Sequence, residues 1–317
     1  MKTVYLCEKP ENVKRVFGVD TVYGKQDVLN SPALFADTEH IFSTWGMPAF
    51  TEEELATYLP SLKAVFYGAG TVQAFARPFL QRGVKVFSAW AANAVPVAEY
   101  TVAQIVLANK GFFKTMRYKN WEAARDDFAQ YKGNWGTTVG IIGAGMIGKL
   151  VIQKLLQYAV RVLVFDPFLS AQDAMAMGAE KCSLETLFKE SNVVSNHVAD
   201  NEETKGMLHK ALFETLPPNA TFLNTGRGAQ VVESDLIAVL KSRPDLTAIL
   251  DVTAPEPPLE GSELYSLENC ILTPHIAGSS GYEVQRMGEF MNAEYDTFTR
   301  GEPCRFEVTT EMLKTMA

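Results

Sequence analysis

Residues 137–148 read TTVGIIGAGMIG, a short apolar run that ends in the three glycines Gly143, Gly145 and Gly148. These glycines have the spacing G-x-G-x-x-G. Apolar residues at helical spacing follow at once: Ile147, Leu150, Val151, Leu155 and Leu156. The pattern predicts a strand, a tight turn and a helix that begins at the turn.

Each part of this turn suits a bound pyrophosphate. Gly143 permits the tight bend, Gly145 lets the backbone approach the phosphates, and Gly148 lets the helix pack closely on the strand. The first N–H groups of the helix, at Met146 and Ile147, lie at the positive end of the helix dipole. The turn therefore predicts a dinucleotide-binding site, with an ordinary glycine-rich turn as the alternative.

The residue that follows the next strand favours the dinucleotide interpretation. Strand 160–165 ends in Asp166, 18 residues after Gly148 (166 − 148). An acidic residue about 20 positions on binds the ribose 2′-hydroxyl in such folds. Pro167 and Phe168 follow, and no arginine follows Asp166 to receive a 2′-phosphate. We therefore expect NAD(H) to be preferred over NADP(H).

The composition is that of a globular protein with room for two domains. The chain has 317 residues, of which 47% are hydrophobic and 21% charged, with a formal net charge of −8. This length suits two cores. The acidic balance disfavours binding to nucleic acid or to anionic membranes.

Targeting and metal-binding signals are weak. We expect no membrane span, because Glu99, Lys110 and Lys149 interrupt the longest apolar runs. The first residues form too short an apolar run for a signal peptide and predict a strand. We expect a cytoplasmic protein with reduced thiols and no metal site, because the four cysteines lack ligand spacing: Cys7, Cys182, Cys270 and Cys304.

Short strands and helices alternate along the chain, which indicates parallel sheets covered by helices. A long apolar helix over 95–118, with Pro96 at its start, is expected to bridge two domains. A last helix covers about 281–299. Between them we expect six strands: Thr138–Ile142, Val160–Phe165, Asn192–Val198, Ala220–Asn224, Thr247–Asp251 and Cys270–Thr273.

Three polar residues lie just after successive predicted strands, where open α/β sheets bind their ligands. Arg227, flanked by glycines, could offer a bidentate fork to a carboxylate, or it could be a surface residue. His275 lies in a turn bounded by Pro274 and Gly278, and Glu256 lies in the loop after the neighbouring strand. A histidine and a carboxylate in this arrangement can serve as a general acid/base and as the group that adjusts its proton affinity. The remaining histidines are expected to be packing or surface residues: His40, His197 and His209.

Together these motifs resemble the D-isomer-specific 2-hydroxyacid dehydrogenase family over nearly the whole chain. The matching motifs are Gly68–Gly70, Val97–Glu99, Gly143–Gly148, Glu203–Met207, Asn224–Gly228, Asp251–Pro257 and Thr273–Gly278. The resemblance implies an α/β fold of two doubly wound parallel-sheet domains. A Rossmann NAD-binding domain, residues 101–283, would be inserted into a flavodoxin-like substrate domain, residues 1–100 and 284–317. It also implies a homodimer.

The resemblance implies hydride transfer between NAD(H) and C2 of a small 2-keto or 2-hydroxy acid. Arg227 would hold the substrate's carboxylate and carbonyl, His275 would exchange the proton, and Glu256 would pair with His275. Gly68, Ala69 and Gly70 would also contact the substrate. The implied cofactor contacts are Gly143, Gly145, Met146, Ile147, Gly148, Asp166, Val198, Ala199, Thr204, Asn224, Thr225, Gly226, Asp251 and Gly278; Asp251 would contact the nicotinamide amide.

The chain departs from the family pattern near these residues. Ala199 and Asp200 replace the usual proline and apolar residue, Gly226 stands where alanine is common, and Tyr67 precedes the glycine loop. Because of these changes, the resemblance does not identify which 2-keto or 2-hydroxy acid is the substrate. An NAD(H)-sensing binding protein that keeps the fold for partner recruitment, as the family's corepressors do, is the alternative function.

Overall fold

The computed structural model describes residues 2–314 and divides the chain into two compact units. One unit consists of Met1–Asn93 with Ser279–Ala317, and the other of Ala94–Gly278. Both are α/β units built on largely parallel sheets, so the predicted fold class is confirmed. The sequence prediction divided the chain at residues 100 and 283, a few residues later than these boundaries.

The secondary-structure elements are numbered along the chain. The strands are β1 (Lys2–Tyr5), β2 (Thr38–Ser43), β3 (Ala64–Tyr67), β4 (Lys85–Ser88), β5 (Thr138–Ile142), β6 (Arg161–Phe165), β7 (Glu180–Lys181), β8 (Val193–Asn196), β9 (Thr221–Asn224), β10 (Thr247–Leu250), β11 (Cys270–Leu272) and β12 (Glu307–Val308). The helices are α1 (Pro10–Phe17), α2 (Lys25–Asn30), α3 (Pro32–Phe35), α4 (Glu52–Tyr58), α5 (Ala76–Gln81), α6 (Trp90–Asn109), α7 (Phe112–Thr115), α8 (Trp121–Phe128), α9 (Met146–Leu155), α10 (Ala171–Ala176), α11 (Leu184–Glu190), α12 (Lys210–Phe213), α13 (Glu233–Ser242) and α14 (Glu283–Thr299).

The sheet of the first unit has the order β1-β2-β3-β4-β12, with β12 antiparallel to β4 and the other pairs parallel. Tyr23 adds a parallel bridge on the outer side of β1, and its N–H donates to the Tyr5 carbonyl at 2.9 Å. With this bridge counted as a strand, the parallel part of the sheet has the flavodoxin-like order 2-1-3-4-5, and the antiparallel β12 adds a sixth position beside β4.

The four residues of β3 are all buried, as expected for a strand covered on both faces. Phe66 stacks between Phe42 and Phe87, at ring distances of 5.1 and 5.0 Å, and this face also packs on α14. Val65 belongs to the core on the opposite face. The last helix is therefore part of the first unit's core.

The second unit contains a seven-stranded parallel sheet of order β11-β10-β9-β8-β5-β6-β7. The sequence predicted six of these strands and missed β7, which consists of two exposed charged residues and therefore has no hydrophobic pattern. The chain reverses its direction of winding between β5 and β8. Open α/β sheets bind ligands at this point, beyond the carboxyl ends of the strands.

Helix α6 differs from its predicted range of 95–118 at both ends. It begins at Trp90, where the run Trp90-Ala91-Ala92 favours a helix, and Pro96 lies inside it rather than at its start. It ends at Asn109 because Gly111 adopts a left-handed conformation with φ +67°.

By length and composition α6 could cross a membrane, although we expected Glu99 to exclude a span there. One such helix is weak evidence, because core helices share these properties. Half of its apolar window is buried, and Ala98, Ile105 and Ala108 belong to the core of the second unit.

Candidate active site

The glycine turn has the geometry that its sequence predicts. Gly143 has φ +89°, which favours glycine. A Cβ at Gly148 would lie 1.9 Å from the Gly143 carbonyl oxygen, so no side chain fits between α9 and the turn. A Cβ at Gly145, in contrast, would meet no atom within 4 Å. The backbone at Gly145 is therefore open to a ligand.

The start of α9 offers hydrogen-bond donors at this open position. Within residues 2–314, no protein atom accepts a hydrogen bond from the N–H groups of Gly145, Met146 or Ile147. The first helical bond runs from the Lys149 N–H to the Gly145 carbonyl, at 3.0 Å. Free donors at a helix start and a turn without side chains fit a pyrophosphate group.

Asp166 lies directly after β6 and contacts the glycine turn. Its Oδ2 accepts a hydrogen bond from the Ala144 N–H at 2.7 Å, and its Oδ1 accepts one from the Phe168 N–H at 2.8 Å. The carboxylate thus fixes the shape of the turn and remains partly exposed. This places a negative charge beside the open glycine, where the sequence predicts the ribose.

The three predicted catalytic residues follow three neighbouring strands. Arg227 follows β9, Glu256 follows β10 and His275 follows β11, and these strands are adjacent and parallel. The structure brings Glu256 and His275 together, with 2.7 Å between Oε1 and Nδ1. Both side chains are partly exposed, at 41% and 49%. Within the described residues Nε2 of His275 has no partner, so this nitrogen is free to face a substrate.

His275 has a left-handed backbone, with φ +53°, which is uncommon for a residue other than glycine. Asp251 holds this loop in place. Its side chain is buried, its Oδ1 accepts from the Ile276 N–H at 2.8 Å and its Oδ2 accepts from the Ala277 N–H at 2.9 Å. The Asp251 carbonyl also accepts from the His275 N–H at 3.1 Å.

The sequence predicts Asp251 only as a cofactor contact and does not predict that it anchors the His275 loop. The available signal was a carboxylate at the end of a fully buried strand, because such a group must find donors nearby. The hydroxyl of Thr273 supplies one more, at 2.6 Å from Oδ1. Gly278 ends the same loop.

The backbone of Arg227 is fixed by hydrogen bonds, whereas its guanidinium group forms no ion pair with a carboxylate of the described residues. Its N–H donates to Oε1 of Gln230 at 2.9 Å, and its carbonyl accepts from Nδ2 of Asn224 at 3.1 Å. One guanidinium nitrogen donates to the Gly226 carbonyl at 2.8 Å. Among residues 2–314 no carboxylate forms an ion pair with Arg227. The fork can therefore receive an anion.

The loop after β8 lies against the glycine turn. A Cβ on Gly143 would lie 3.0 Å from the His197 carbonyl carbon and 3.0 Å from Cγ1 of Val198. The hydroxyl of Thr204 donates to the Ala199 carbonyl at 2.6 Å and so braces this loop. Val198 is thus beside the glycine turn, whereas Ala199 is the acceptor of the Thr204 hydroxyl.

His197 is a buried packing residue, as its sequence context suggested. Its Nε2 lies 2.9 Å from the Ser195 hydroxyl and its Nδ1 lies 3.3 Å from the Thr225 hydroxyl. Burial lowers the pKa of His197 to about 3, so the ring is neutral. It ties β8 to Thr225, one of the predicted cofactor contacts.

In the first unit, the loop Gly68–Gly70 follows β3 and has fixed carbonyls. Thr44 donates from its hydroxyl to the Gly68 carbonyl, and Ser88 donates to the Ala69 carbonyl, each at 2.8 Å. No acceptor within residues 2–314 pairs with the N–H groups of Ala69 and Gly70. These two donors are the ones that the resemblance assigns to a carboxylate.

Comparisons with known proteins agree with this geometry. The D-isomer specific 2-hydroxyacid dehydrogenase NAD binding domain matches residues 105–277. YoaD of Bacillus subtilis, whose name assigns it to the 2-hydroxyacid dehydrogenases, is 34% identical over 212 residues, which are 65% of this chain and 60% of YoaD. The (S)-sulfolactate dehydrogenase of Chromohalobacter salexigens is 32% identical over 230 residues, which are 72% of this chain and 74% of that protein.

The fold is also that of solved structures. The NAD-complexed D-isomer specific 2-hydroxyacid dehydrogenase of Lactobacillus delbrueckii ssp. bulgaricus has a TM-score of 0.77 at 19% identity, over 98% of this chain and 100% of that one. The chain spans less than two thirds of YoaD's length. The matched segment is more than half of the 317 residues and contains both the glycine turn and the His275 loop, so the chain belongs to the D-isomer specific 2-hydroxyacid dehydrogenase family.

Proposed function

We propose that this chain is an NAD-dependent dehydrogenase that interconverts a small 2-keto acid and the D-2-hydroxy acid. The observation that carries this proposal is the 2.7 Å pair of His275 and Glu256, on loops next to the one that holds the unpaired Arg227. A proton donor and an anion-binding fork beside a dinucleotide-binding turn are the groups that this reaction needs.

The residues around the glycine turn fit NAD. The free N–H groups of Gly145 and Met146 would hold the pyrophosphate, and Asp166 would bind the adenosine ribose. A carboxylate repels a 2′-phosphate at short range, which supports NAD over NADP. When bound, NADH supplies the hydride.

The catalytic roles follow from the atoms that are free. Arg227 would bind the substrate's carboxylate and carbonyl oxygen through its guanidinium and so orient C2. In reduction, protonated His275 would donate its Nε2 proton to the carbonyl oxygen. Glu256 at Nδ1 would stabilise the imidazolium, and in oxidation neutral His275 would take the hydroxyl proton.

We further propose that the chain forms a homodimer in the cytoplasm. Several large apolar side chains are exposed within one segment of the second unit: Leu107, Phe112, Met116, Tyr118, Trp121, Phe128 and Trp135. Such a concentration of exposed apolar groups supports an interface. The four cysteines are unpaired, which supports a reducing compartment.

The test is a kinetic survey of 2-keto acids. Purified protein and NADH are mixed with pyruvate, hydroxypyruvate, phenylpyruvate or 3-sulfopyruvate, and NADH loss and product configuration are measured. We expect turnover of at least one acid to the D-configured product. NADH binding with no turnover of any acid would instead favour an NAD(H)-sensing protein.

A further inference from the structure

Three buried amide side chains hold Arg227: Asn196, Asn224 and Gln230. Asn224 is a predicted cofactor contact, whereas Asn196 and Gln230 have no role in the proposed function. Gln230 accepts the Arg227 N–H at Oε1, and Asn224 donates to the Arg227 carbonyl. Asn196, at the end of β8, joins the two. Its Nδ2 donates to Oδ1 of Asn224 at 3.0 Å and to Oε1 of Gln230 at 2.9 Å.

All three amides are closed off from water. The exposed fractions of Asn196, Asn224 and Gln230 are 0%, 1% and 0%. A buried amide network that is largely satisfied stiffens the segment it contacts, because moving any member leaves a polar group without its partner. Both backbone groups of Arg227 are therefore fixed to the end of β8, next to the glycine turn.

The network also reaches the guanidinium group. Oδ1 of Asn224 accepts the Gly226 N–H at 3.0 Å, and the Gly226 carbonyl accepts from the Arg227 guanidinium at 2.8 Å. The orientation of the fork is thus coupled to the amides through one residue. On its other side the loop is clamped, since a Cβ at Gly228 would lie 1.9 Å from the Thr253 carbonyl carbon.

Gly226 is part of the same arrangement. A Cβ at this position would lie 2.9 Å from Nδ2 of Asn196 and 3.2 Å from Oε1 of Gln230. An alanine at position 226 would press on the two amides that meet there. The glycine at this position therefore leaves room for the network.

We propose that the amide network of Asn196, Asn224 and Gln230, with the space left by Gly226, is a positioning device for Arg227. The network fixes the position at which the guanidinium group of Arg227 binds the substrate's carboxylate, and so it determines kcat/KM for the keto acid. This proposal rests on the proposed function, because it assigns the network to the binding of the keto acid. It makes Asn196 and Gln230 positioning residues, since they act through Arg227.

The decisive variant is Asn196→Leu/Gln230→Leu. Replacing Asn196 and Gln230 with apolar groups of similar volume removes both partners of the hydrogen bond between them. It also takes the acceptor from the Arg227 N–H, which lowers stability because this donor is left without a partner. We expect kcat/KM for the keto acid to fall at least about tenfold, because small displacements of a positioning group are costly. The Kd for NADH, measured by fluorescence, should stay that of the wild type.

Two further variants separate positioning from general stability. Within residues 2–314, Nε2 of Gln230 has no partner, so Gln230→Glu keeps the only contacts that this side chain makes and should keep most of kcat/KM. Asn269→Leu removes another buried amide, 6% exposed, whose Nδ2 donates to the Leu240 carbonyl, away from Arg227. It should lower the melting temperature without changing keto-acid kinetics.

The outcomes distinguish this proposal from the proposed function. If the wild type reduces no keto acid, the proposed function fails and the positioning role falls with it. If the wild type is active and the double variant keeps its kcat/KM, only the positioning role is wrong. If the double variant does not fold, the single variant Gln230→Leu decides. It should lower kcat/KM with NADH affinity retained, and wild-type kinetics there would overturn the proposal.

Discussion

At the scale of single residues, His275 is constrained from two directions. Asp251 fixes its backbone in a left-handed conformation, and Glu256 contacts its Nδ1. Strain of this kind persists only where the surroundings enforce it. The sequence predicted the identities of the histidine and the glutamate through their loops. It did not predict the anchoring by Asp251, because three of the four hydrogen bonds from this loop to Asp251 come from backbone groups.

The pairing of Glu256 with His275 predicts a loss of activity in both directions. In Glu256→Gln the carboxylate at Nδ1 is replaced by a neutral amide, so the charge that faces the imidazole during proton transfer is gone. We expect kcat/KM to fall by about tenfold or more for reduction and for oxidation, because a general acid/base needs its partner to transfer the proton efficiently. Steady-state kinetics in both directions measure this. Wild-type values of kcat/KM would assign Glu256 to the turn alone.

The role of Arg227 predicts that a lysine, which keeps the positive charge, cannot preserve activity toward the keto acid. Arg227→Lys keeps the positive charge, but one ammonium group cannot form two parallel bonds to a carboxylate and a carbonyl. We expect kcat/KM for the keto acid to fall by about 100-fold or more, as for a misplaced positioning group. Steady-state kinetics test this, and a defect limited to NADH affinity would place Arg227 in the cofactor site instead.

His197 predicts a pH dependence of folding. Its pKa is about 3 in the folded chain and 6.5 ordinarily, so the unfolded chain binds the extra proton between these values. The stability contributed by the neutral ring is present above pH 6.5 and is lost as pH falls, by about 1.4 kcal/mol per unit. Urea unfolding of His197→Gln should show a shallower dependence below pH 6.5. The exposed His209→Gln should match the wild type, and equal slopes for all three would contradict this account.

At the scale of elements, the turn between β5 and α9 separates two kinds of glycine. Gly148→Ala places a Cβ 1.9 Å from the Gly143 carbonyl oxygen, so we expect both the melting temperature and NADH affinity to fall. Gly145→Ala meets no protein atom within 4 Å, so it should keep the melting temperature and lose NADH affinity. Thermal unfolding and NADH fluorescence measure the pair. Normal NADH binding by Gly145→Ala would mean that no phosphate approaches this glycine.

Strong local signals made most elements predictable from the sequence. Thr51, followed by three glutamates, carries such a signal and caps α4, because its hydroxyl accepts from the Glu54 N–H. The sequence did not predict strand β7 or the true start of α6. Strand β7 has too few residues to show a hydrophobic pattern. Helix α6 begins before Pro96, because Trp90 and the alanines that follow it already favour a helix. The amides at Asn196 and Gln230 gave only the weak signal of polar residues in buried positions.

At the scale of the whole molecule, the exposed apolar segment 107–135 supports a dimer. Trp121 and Trp135 are 76% and 86% exposed. Large apolar side chains clustered at such exposure are typical of protein–protein interfaces. Light scattering of the wild type should give about twice the monomer mass of 35.0 kDa. Trp121→Lys/Trp135→Lys should shift it toward the monomer, whereas Phe168→Lys, a control outside this segment, should not. A monomeric wild type would contradict the dimer.

The central claim is that His275 transfers the proton in an NAD-dependent reaction of a 2-keto acid. A single-turnover measurement tests it most directly, with NADH-loaded wild type and His275→Ala mixed with the best acid of the survey. Rapid NADH oxidation by the wild type is expected, and a loss of at least about 100-fold in His275→Ala with NADH affinity retained. Oxidation at the wild-type rate by His275→Ala would contradict the claim.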